Sequence, residues 1–66
     1  MMRPQFWSVS LPDKGVVAYV FATYREEAMG MAIRFLAHTD YQPQKFAVIP
    51  IGRRMPSDFP IPVGHA

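Results

Sequence analysis

Gln5-Phe-Trp-Ser-Val-Ser-Leu11, Pro12-Asp-Lys-Gly15 and Val16-Val-Ala-Tyr-Val-Phe-Ala22 are the consecutive pieces of sequence that decide the fold. In the first, Trp7, Val9 and Leu11 share one face and Phe6, Ser8 and Ser10 the other. This is the period-two alternation of a half-buried strand, with Pro4 at its edge. The second is a turn: proline pre-sets its own φ, aspartate bonds the backbone ahead, and glycine adopts a positive φ. The third is apolar throughout and rich in β-branched and aromatic side chains, as in a strand covered on both faces or paired with a partner. An antiparallel hairpin follows. With Leu11 opposite Val16, Trp7, Val9, Leu11, Val16, Ala18 and Val20 form one face, and Phe6, Ser8, Ser10, Val17, Tyr19 and Phe21 the other. A slip of one residue exchanges them.

Thr23-Tyr24-Arg25-Glu26 has the spacing of a capping box, in which the threonine hydroxyl and the glutamate each satisfy a free amide of the first turn. A helix is predicted from Tyr24 to about His38. It places Tyr24, Ala28, Met31, Ala32, Phe35 and Leu36 on one face, and Met29 and Ile33 widen the apolar arc to about 200°, against about 100° for a helix covering one sheet. Something besides the sheet should therefore cover Met29 and Ile33. Gly30 costs about 1 kcal/mol in a helix interior relative to alanine, and marks either close approach of another backbone or an exposed site.

Pro43 interrupts the helical pattern. Lys45–Ile51 reads as a third strand, with Phe46 and Val48 on one face, Ala47 and Ile49 on the other, and Pro50 as the sign of an edge. The last residues are too rich in proline and glycine for regular structure, although Phe59, Ile61 and Val63 can dock. The predicted architecture is α+β. A β-β-α-β domain spans 1–52, with an antiparallel hairpin, a third strand and one helix on one sheet face, and an irregular, extended Pro-rich arm spans 53–66.

The 66 residues contain seven Pro and no Cys, with 50% hydrophobic and 18% charged side chains, which fits one domain without a disulfide framework. So small a core cannot hide every apolar group, so an outer patch and a homodimer are expected. The net charge is +2, and residues 1–33 are balanced; residues 34–66 carry Arg34, Lys45, Arg53 and Arg54 against Asp40 and Asp58. That is a faint footprint for nucleic-acid binding. Val16–Ala22, the longest apolar run, falls short of the roughly 20 residues of a membrane helix, and no leader pattern opens the chain. A cytoplasmic protein with no membrane partner is expected.

Catalytic patterns are sparse. Glu26 and Glu27 diverge by about 100° on a helix and cannot flank one bond. There is no thiol, no Gly-x-Ser-x-Gly and no Gly-rich phosphate loop, and His38, Asp40 and His65 match no metal-ligand spacing. No enzymatic activity, cofactor or metal is expected. The expectation is a non-catalytic protein-binding module, an adaptor or inhibitor of a larger protein, such as a phage host-takeover or anti-defence protein. Its contact residues would be Val17, Tyr19, Phe21, Met29, Ile33, Arg53, Arg54 and Phe59. The alternative is weak nucleic-acid binding through the aromatic strand face Phe6, Tyr19 and Phe21, with Arg53, Arg54 and Lys45.

Overall fold

In a computed structural model, residues 2–56 and the backbone of residues 63–64 are described. The order is β1 (Gln5–Leu11), β2 (Gly15–Ala22), α1 (Arg25–Phe35), a 3-10 turn (Pro43–Lys45), β3 (Ala47–Gly52) and β4 (Val63–Gly64). The sheet order is β3-β1-β2-β4, antiparallel at β1-β2 and β1-β3 and parallel at β2-β4. The α+β fold with one helix on one sheet face is as the sequence predicts. The arm is not wholly irregular, because residues 63–64 add a short strand at Tyr19 and Val20. Residues 53–56 of the arm are described without regular structure, and residues 57–62 and 65–66, including Phe59, lie outside the described residues.

The hairpin turns on its glycine. Lys14 N–H donates to Leu11 O at 3.2 Å, closing a turn with Pro12 in its second position, and Gly15 follows at φ 74. A β-turn followed by a left-handed residue closes a three-residue loop, so Leu11 pairs with Gly15 rather than Val16. From Gln5↔Ala22 to Val9↔Ala18 the register is the predicted one; a β-bulge then leaves Val17 without a partner and sets Ser10 against Val16. The bulge moves two side chains from their predicted places. Val17 is half-buried against the core, and Val16 is 37% exposed. An unbroken alternation gives the reverse, and the bulge inverts it by adding one residue to a period of two.

Trp7, Val9, Leu11, Ala18, Val20, Ala22 and Val48 from the sheet, and Phe46 just before β3, meet Ala28, Met31, Ala32 and Leu36 from the helix in one core cluster. Val9 and Val20 are the largest side chains wholly removed from water, each worth about 1.5–3 kcal/mol of burial. Trp7 is buried with its one polar atom satisfied, Nε1 donating to Ala22 O at 2.8 Å. Among the described residues no buried side-chain nitrogen or oxygen is left unpaired.

The helix is shorter than predicted at both ends. Tyr24 is an extended N-cap (φ −122, ψ 155), so Arg25 is the first helical residue and the tyrosine ring, 55% exposed, is not part of the apolar face. The reach-back contact is displaced by one residue: Thr23 N–H donates to Glu27 Oε1 at 2.8 Å, and no side chain caps from the N-cap itself. The third helical position is Glu27 once the cap is Tyr24, and only that position points back over the free amides. At the other end, Ala37 N–H bonds to Arg34 O, and both the amide and the hydroxyl of Thr39 bond to Leu36 O. That tightened turn ends the helix before His38.

Past Tyr41, proline at the head of Pro43–Lys45 supplies a ready-made first-turn φ, and Lys45 and Phe46 donate back to Gln42 and Pro43. This turn takes up Lys45, which was predicted as strand, so β3 begins at Ala47 and runs to Gly52. Gly52, at φ 104, sits at a second irregularity, where β3 pairs with Phe6 after Trp7 pairs with Pro50.

Candidate functional site

Residues 2–12 and 46–56 carry Arg3, Arg53 and Arg54 and no aspartate or glutamate. The pairing Phe6↔Gly52 brings the lead-in to β1 and the exit from β3 to the same end of the sheet. Four large apolar side chains are exposed on these two segments: Met2 59%, Ile49 53%, Ile51 45% and Met55 54%. Ile49 lies between buried Val48 and the edge proline, on the face turned away from α1. These two segments therefore carry exposed aliphatic side chains and exposed arginines.

The free edge of β3 is blunted. Pro50 has no N–H, so Trp7↔Pro50 cannot be a pair that exchanges both backbone bonds; Val9↔Val48, two residues along, is of the same type. Val48 and Pro50 therefore turn their backbone groups away from β1. Arg25 Nη1 donates to Val48 O, its guanidinium 5.5 Å from the centre of the Trp7 ring. At the opposite side of the sheet, β4 occupies the middle of β2's outer edge. Both edges thus have fewer open backbone positions than their lengths suggest.

The predicted contact residues do not form one surface. Tyr19 is 6% exposed, Phe21 half-buried, and Val17 and Met29 are packed against the core. Tyr19, an expected contact residue, is thus buried within a single chain. Phe6, also buried, lies with its ring centre 4.8 Å from that of Phe21, tilted by 57°, so the aromatic face offers little free ring surface for stacking bases. Ile33, 42% exposed, lies apart on the outer side of α1; Arg53 and Arg54 are exposed at the β3 exit. Ile49 and Ile51 were legible as the outward positions of an edge strand, and their exposure depended on what covers that face.

A concavity of about 320 Å³ lies at the hairpin-turn end, lined by Leu11, Asp13, Lys14, Asp40, Tyr41, Gln42 and Lys45. Lys14 Nζ sits 5.8 Å from the centre of the Tyr41 ring, and two carboxylates balance the two lysines. Among the described residues no three His, Cys, Asp or Glu gather as metal ligands, and no helix is long and apolar enough to cross a membrane. Comparison of the chain with protein-family models, with curated proteins and with solved structures gives no match.

Proposed function

We propose that this chain is a non-catalytic protein-binding module, an adaptor or inhibitor of a larger protein. One observation carries the reading: Ile49, Ile51 and Met55 are exposed next to Arg53 and Arg54 in a chain whose own core is closed by other residues. Exposed apolar surface rimmed by charge is the mark of a protein contact, and arginine is the cation best suited to interface anchoring.

The test uses the immobilised full chain and its Ile49→Asp variant in lysate of the cells that produce it. A protein retained in stoichiometric amount by the native chain and lost with the variant is the expected result. Retention of nucleic acid alone, or identical retention by both chains, refutes the proposal. Light scattering on the purified chain at two concentrations reports whether a second copy is the partner.

A further inference from the structure

The same patch specifies its partner's chemistry, and this step rests on the protein-binding reading above. We infer that the partner presents an acidic segment with apolar anchors, held through its side chains on the Ile49–Ile51–Met55 surface and not as an added strand. Among the described residues, Arg3, Arg53 and Arg54 stand on segments without an aspartate or glutamate, and the acids Asp13, Glu26, Glu27 and Asp40 belong to other segments; Asp58 lies outside the described residues. A partner supplying Asp or Glu gains bidentate contacts at these guanidiniums, and a basic partner is repelled.

A second copy of this chain is a poor occupant. A two-fold contact through this patch brings the like-charged arginines of two copies to one interface. Recognition by strand addition is disfavoured independently of charge. An incoming strand at β3 meets a Val48 carbonyl already bonded by Arg25 and a Pro50 without a donor. On β2 it meets a middle already paired with β4. What remains is recognition by side chains, with Ile49, Ile51 and Met55 taking the partner's apolar groups and the arginines its carboxylates.

The experiment is selection from a random peptide library displayed on phage, against the biotinylated full chain and two variants, Ile49→Asp and Arg53→Ser/Arg54→Ser. The second variant lies beyond the strand, so it reports even if the first unfolds, and circular dichroism checks both. Expected are enriched peptides with net negative charge and clustered apolar residues, whose affinity falls about tenfold or more on each folded variant and further as salt rises. Enriched peptides that are neutral or basic, that alternate as strands, or that bind the variants equally overturn the acidic-partner inference and leave the protein-binding reading standing. No enrichment above bare support overturns both. Binding instead to vesicles of phosphatidylcholine and phosphatidylserine, lost in the variants, assigns the patch to an anionic membrane and likewise overturns both.

Discussion

Replacing Gly30 with alanine should stabilise this protein. Gly30 lies inside α1 without a positive φ, and a methyl group built there meets nothing within 4 Å beyond its chain neighbours and its own helix backbone. The substitution therefore gains the helix-propensity difference, about 1 kcal/mol, with no clash to offset it. Part of that gain comes from the unfolded chain, which loses freedom when glycine is replaced. A domain of this size has a core worth only about 3–5 kcal/mol, so the change is a fifth to a third of the total. It should raise the melting temperature by about 4–8 °C. Urea melts followed by circular dichroism, at two protein concentrations, measure it; the midpoint should rise with an unchanged slope. A lower midpoint in the variant, with a native midpoint that depends on concentration, would refute the reasoning: it would mean that a second backbone packs against Gly30 in an assembly.

Two further predictions test the hairpin and the sheet edge. Val17→Ala should cost more than Val16→Ala, about 1 kcal/mol against less than about 0.5, because the bulge turns Val17 toward the core and leaves Val16 in water; paired urea melts decide, and the reverse order would restore an unbroken alternation. Arg25→Met should cost about 1 kcal/mol by removing the bond to Val48 O and weakening the contact with Trp7. It should also make the chain self-associate through the unblocked edge, read by light scattering; a variant that stays as dispersed as the native chain would show that Arg25 does not guard that edge.

Much of the fold was legible because it is local. Alternation in Gln5–Leu11, the apolar run that follows and the glycine after Pro12-Asp13-Lys14 specify a hairpin through contacts between near neighbours in the chain. The spacing of Ala28, Met31, Ala32 and Leu36 specifies a buried helix face by the same kind of short-range geometry. The capping contact was legible in kind but displaced, since Glu26 and Glu27 are equivalent by composition and only the position of the first helical residue chooses between them.

The contact surface depended on longer distances. Tyr19 and Ile49 are both outward-facing apolar strand residues in sequence, yet one is 6% and the other 53% exposed. Tyr19 lies on an inner strand with β1 on one side and β4 on the other; Ile49 lies on the edge strand. The sequence by itself determined β1, β2, α1 and β3 in outline, the buried sides of β1, α1 and β3, and the identity of the strand that bears Pro50. Only the tertiary structure decided that β3 and β4 take opposite edges, that a bulge exchanges Val16 and Val17, and that Arg25 reaches across Trp7 to Val48. The physical reason is that pattern within an element reports which side is apolar, whereas exposure depends on neighbours supplied by segments far away in the chain.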